Sequence, residues 1–178
     1  MRKITLLLAL ILTAGFSTES FAQVTATDAS KTMNVEIVEL LSITVNEDAW
    51  LIYDDPVDFT AGVDSLFPGH LTVSSTKDFD VYVETAAADL INANTTDVIP
   101  VNYVQVNVIL QGSQTLGTLS PQNLATSNGS NLLIDNAPPA MGESIDVEYS
   151  INPTFSQQLI GLDAEVYSQA MTYTIVAQ

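Results

Sequence analysis

Ile145-Asp-Val-Glu-Tyr-Ser-Ile151 is the stretch that decides the fold. Ile145, Val147, Tyr149 and Ile151 alternate with Asp146, Glu148, Ser150 and Asn152. A period of two puts the first set on one face and the second on the other, which is the signature of a half-buried strand in an antiparallel sheet. Pro153 stops it. Phe79, Val81 and Val83 repeat the pattern against Asp78, Asp80, Tyr82 and Glu84, and Met171, Tyr173 and Ile175 repeat it against Thr172, Thr174 and Val176. Val104, Val106, Val108 and Leu110 form one face of a further strand across 101–110, where Val and Tyr enrichment favours strand over helix.

Working outward, the spacing predicts a first apolar strand from Val35 through Ile37 and Val38 to Leu41, continued by Ile43 and Val45. Asn46-Glu47-Asp48 ends it, and Trp50, Ile52, Val57 and Phe59 suggest one or two short strands around Asp54-Asp55-Pro56. Pro68-Gly69 reads as a turn before a strand at Leu71. Residues 86–96 read as a loop or a short helical turn, and 112–143 as a long Ser-, Asn- and Gly-rich connection holding one or two short strands, with Asn128-Gly129 as a turn. The best remaining helical candidate is 160–170. About seven to nine short strands separated by turn signals predict an all-β fold, an antiparallel β-sandwich over residues 33–178.

The start of the chain has a different logic. Arg2 and Lys3 precede an apolar stretch from Ile4 to Phe16, and Ser20-Phe21-Ala22 offers small residues at a cleavage site. Residues 1–22 read as a signal peptide, too short in its apolar part for the roughly 20 residues of a membrane span. Residues 23–32 read as a flexible leader. The expected destination is export, to the periplasm, the cell surface or the exterior, with no membrane span in the mature chain.

Composition narrows the chemistry. The 178 residues carry 21 acids against 4 basic residues, one histidine and no cysteine, for a formal charge of −17. Lacking cysteine, the chain has no disulfide scaffold, thiolate metal site or cysteine nucleophile. The charge makes nucleic acid a poor partner, since phosphate binding needs Lys and Arg. After cleavage the only cations are Lys31 and Lys77. His70, in Pro68-Gly69-His70, reads as a solvent-exposed turn residue, and no Gly-x-Ser-x-Gly elbow accompanies it. No enzyme is expected.

Two clusters are candidates for binding. Asp54, Asp55 and Asp58 gather near a turn, and clustered carboxylates with backbone carbonyls suit Ca²⁺, although the spacing is not that of an EF-hand. A solvated acidic turn is the competing reading, and no other cofactor is indicated. Trp50 and Tyr53 lie near the same turn and Tyr82 sits between Asp80 and Glu84, so these aromatics are candidates to stack on sugar rings. The competing reading places Trp50 in the core. Asp78, Asp80 and Glu84 read as a solubilising face.

The ending Tyr167-Ser-Gln-Ala-Met-Thr-Tyr-Thr-Ile-Val-Ala-Gln178 resembles the last strand of secreted bacterial pilin-like β-sandwich proteins, the group of spore-coat-U-type domains and fimbrial subunits. The order of signal peptide, small-residue leader, apolar first strand and Gly/Asn/Ser-rich section is similar too. Val57-Asp-Phe59-Thr-Ala-Gly62 departs from the Phe-Gly often found after the first strand, and the disulfide of many members is absent. The resemblance implies a non-enzymatic coat, filament or adhesive surface component, with an N-terminal strand that completes either its own sheet or a neighbour's. Self-association through an edge strand is the first expectation. A soluble carbohydrate-binding module, Ca²⁺-assisted, is the alternative.

Overall fold

The computed structural model describes residues 30–126 and 131–178. Ile37–Gln178 form one compact unit; residues 30–36, which fall in the other unit, carry neither helix nor strand. The expected signal peptide, most of the leader and the Asn128-Gly129 turn lie outside the described residues.

The described residues are all-β in character, with eleven strands: β1 (Leu41–Val45), β2 (Val63–Ser75), β3 (Phe79–Thr85), β4 (Asp89–Ile91), β5 (Val98–Pro100), β6 (Val104–Ile109), β7 (Thr118–Leu119), β8 (Gln122–Asn123), β9 (Leu132–Ala137), β10 (Ala140–Ile151) and β11 (Met171–Ala177). Every strand pair is antiparallel. A five-stranded sheet runs β1-β2-β10-β6-β8, a four-stranded sheet β11-β3-β9-β7, and β4 pairs with β5 alone. No helix among the described residues is long and apolar enough to cross a membrane.

The period-two stretches are strands. Ile145, Val147, Tyr149 and Ile151 of β10 are buried together with Leu71 and Val73 of β2 and Val104, Val106 and Val108 of β6. Phe79, Val81 and Val83 of β3 and Ile134 of β9 belong to the same buried cluster, so the inner residues of both large sheets share one core. Full burial of each such side chain is worth roughly 1.5–3 kcal/mol, which is the main force holding a chain without disulfides.

Several expectations are corrected. β1 begins only at Leu41, and Ile37 and Val38 are 84% and 72% exposed and unpaired. No strand forms between Asn46 and Gly62. A single helical turn, α1 (Asp58–Ala61), stands there, because Asp58 folds back to accept hydrogen bonds from the backbone N–H groups of Asp54 and Asp55 (3.1 and 3.0 Å). The loop or short helical turn expected at 86–96 holds β4, which pairs with β5. No helix forms at 160–170. The helical turn comes earlier, as α2 (Pro153–Ser156), capped by the Asn152 side chain accepting from Phe155 N–H with Pro153 in the first turn.

Asp80 is a further correction. It is buried rather than part of a solvated face. Its Oδ1 accepts from Asn136 N–H at 2.8 Å, its Oδ2 accepts from Gln178 Nε2, and Tyr82 OH reaches Oδ2 at 3.4 Å. Asn136 has a φ of 54°, a left-handed position that Asn tolerates, so the carboxylate holds a turn residue of β9 onto β3. Removing a buried charged acceptor strands its donors, so Asp80→Ala is expected to cost about 2–3 kcal/mol in urea unfolding, while Glu84→Ala on the same strand should stay within about 0.5 kcal/mol.

Candidate functional site

Pro68-Gly69 is no chain reversal. β2 runs straight through it, and Pro68, Gly69 and His70 stand opposite the single residue Asp146, between the Leu71–Ile145 and Phe67–Val147 pairs. This is a β-bulge, one of the few places where a strand accepts proline. Gly69 has a φ of 64°. Its N–H donates to buried Asp146 Oδ1 at 2.7 Å, and its carbonyl accepts from Asn46 Nδ2 at 2.7 Å. Gln111 Nε2 donates to the other Asp146 oxygen. The extra residues break the alternation of β2, so that His70 and Leu71, though consecutive, are both buried.

His70 is thus the reverse of the solvent-exposed turn residue expected from sequence: it is 1% exposed. Its ring makes edge contacts with Tyr149 and Tyr173, at centroid distances of 5.4 and 6.0 Å, and a tilted one with Phe67 at 5.6 Å. Tyr149 OH lies 2.8 Å from His70 Nε2 and 2.5 Å from Tyr173 OH. Tyr149 belongs to the five-stranded sheet and Tyr173 to the four-stranded one, so this polar chain ties the two sheets inside the core. His70 Nδ1 is buried without a partner among the described residues.

Burial sets the ionisation of all three. It lowers the His70 pKa from its ordinary value, against a smaller upward pull from Glu47. It pushes Tyr149 up to about 12, with the Tyr173 hydrogen bond working the other way, and it raises Tyr173 further, helped by Tyr149. Near neutral pH the group is an uncharged imidazole joined to two uncharged phenols.

These residues line the inner wall of a cleft of about 1400 Å³. Its sides are Val45–Tyr53 and residues 162–171, two segments with almost no regular structure. Much of the remaining wall is apolar, including Leu90, Val101, Leu124, Ile151 and Leu159. Among the described residues, the charged ones on it are Glu47, Asp48, Asp163 and Glu165, with no Lys or Arg.

The residues singled out from sequence fall in three places. Trp50 is 54% exposed, not core, and lines this cleft with Tyr53. Tyr53 OH also bonds Ser156 Oγ at 2.6 Å. Tyr82 sits on β3 beside Asp80 and does not line the cleft, so the three aromatics form no common platform. Asp54 and Asp55 border a smaller depression of about 390 Å³ with Tyr53 and Phe59. Asp55 Oδ1 accepts from Val57 N–H at 2.8 Å, and Asp58 Oδ2 from Asp54 and Asp55 N–H, so these carboxylates cap their own turn. Among the described residues, no group of three or more His, Asp or Glu is placed to hold a metal ion.

Sequence reasoning missed His70, Tyr149 and Tyr173 as a unit. Two of them carried a signal, as the inward tyrosines of alternating strands, since a buried phenol needs a partner. His70 carried none, because only the bulge turns it inward.

Two measurements follow from this geometry. As pH falls below about 6.5, the unfolded chain takes up a proton that buried His70 refuses, so stability is full above that pH and declines below it. The urea midpoint is therefore expected to drop between pH 7.5 and 5.5, and His70→Gln should flatten that slope. Trp50→Ala, acting on a half-exposed side chain, should change stability by less than about 1 kcal/mol. No protein-family model matches the chain, and no curated protein matches it significantly.

Proposed function

We propose that the chain is an exported, non-enzymatic surface component, a pilin-like two-sheet β-sandwich that associates with copies of itself through strand edges. The observation carrying this reading is the flank formed by β1 and β11. β1 ends the five-stranded sheet, β11 ends the four-stranded sheet, and the two lie beside each other. Neither Leu-Ser-Ile-Thr-Val nor Met-Thr-Tyr-Thr-Ile-Val-Ala contains a charge or a proline, the devices that normally blunt an open edge. Exposed Ile37, Val38 and Leu40 lead directly into β1, an apolar run suited to adding a strand to another copy. The acidic charge opposes such contact at low ionic strength, so salt should favour it.

Light scattering of residues 23–178 across protein and salt concentration tests this. Assembly should rise with both. Deleting residues 23–40, which spares β1, should abolish it and leave the far-ultraviolet β-sheet signal unchanged. Val176→Lys, on the free edge of β11, should raise the concentration needed by roughly tenfold or more. A protein monomeric under all conditions, or a deletion that assembles as before, overturns the reading.

A further inference from the structure

The hydroxyl protons decide the state of His70. Among the described residues, Tyr173 OH has no acceptor but Tyr149, and Tyr149 OH none but Tyr173 and His70 Nε2. If Tyr173 donates to Tyr149 and Tyr149 donates to Nε2, every hydroxyl proton is used and the imidazole proton sits on Nδ1. The opposite direction leaves both the Tyr173 proton and Nδ1 unsatisfied. Nδ1 lacks a partner either way, and the second direction strands the Tyr173 proton as well; each further buried polar group left unsatisfied costs about 1–3 kcal/mol, so the first arrangement prevails. His70, on the lining of the cleft, then carries one buried, unpaired N–H donor on a neutral ring.

We propose that this cleft binds a neutral amphiphile: an extended apolar body bearing a single hydroxyl or carbonyl oxygen, which accepts the Nδ1–H of His70. A mostly apolar lining with a few convergent polar groups is the usual form of a small-molecule site, and this volume takes a long-chain body. Glu47, Asp48, Asp163 and Glu165 on the wall, with no cation beside them among the described residues, repel an anionic head group. Fatty acids are therefore poor occupants and the corresponding alcohols good ones. Trp50, the only tryptophan, stands on the wall and reports occupancy.

Titrating the full chain with 1-octanol, followed by Trp50 fluorescence, should give saturable binding at one site. Octanoate should bind at least about tenfold more weakly, and His70→Phe, which keeps the ring and loses the donor, should weaken octanol by about tenfold. In the unsubstituted protein the ¹⁵N shift of Nδ1, unambiguous with one histidine, should move on saturation, which keeps the test valid should the variant not fold. Non-saturable binding, an Nδ1 shift that does not move, or octanol affinity unchanged in folded His70→Phe, as when a trapped water satisfies the ring, overturns the proposal. So does a preference for octanoate. A peptide of residues 33–40 that displaces octanol and binds more tightly would assign the cleft to a strand of another copy instead.

Discussion

A carboxylate facing a kinked backbone governs the interior of this protein. Asp146 receives the N–H of Gly69 with one oxygen and the Gln111 amide with the other, and in doing so fixes three residues of β2 against one of β10. Without the bulge, β2 would alternate through and His70 would share the fate of its neighbours in strict register. With it, the imidazole enters the core, meets Tyr149, and through Tyr149 reaches Tyr173 on the other sheet. Asn46 binds the same bulge from outside, through Gly69 O and Thr72 Oγ1, and its own N–H donates to His70 O at 2.9 Å. The segment that forms one wall of the cleft is thereby moored to the kink that sets the cleft's inner surface.

Much of the architecture was legible because it rests on a local rule. β3, β10 and β11 each bury one side, and their residues say so one after another. What was illegible depends on partners far along the chain. Pro68-Gly69 has the composition of a turn, and only Asp146, far away in sequence, makes it a bulge. Asp80 occupies the polar phase of a strand, and Asn136 and Gln178 make it a buried anchor. Trp50 and Ile52 have the alternation of a strand, yet Asp58 gathers the following backbone into a turn. Asp54, Asp55 and Asp58 were identified as a group, but two of their carboxylates serve the turn itself. Of the cleft, Trp50 and Tyr53 were visible beforehand; the histidine and two tyrosines at its inner wall were not.

The flank and the cleft meet in β11. Its outward residues border the open edge, while Tyr173, on its inward phase, closes the buried polar chain. One strand thus serves two surfaces of different character, an uncharged rim of backbone groups and a largely apolar recess.

That arrangement also bears on how the chain folds. Residues 171–177 pair with 79–85, and 140–151 with both 63–75 and 104–109. Contacts so distant along the chain require large loops to close before they reward the chain, which slows folding. Until β11 arrives, β3 has a bare side, and Tyr149 lacks the hydroxyl that shares its core. The partly folded chain is therefore at its stickiest just before its last strand docks.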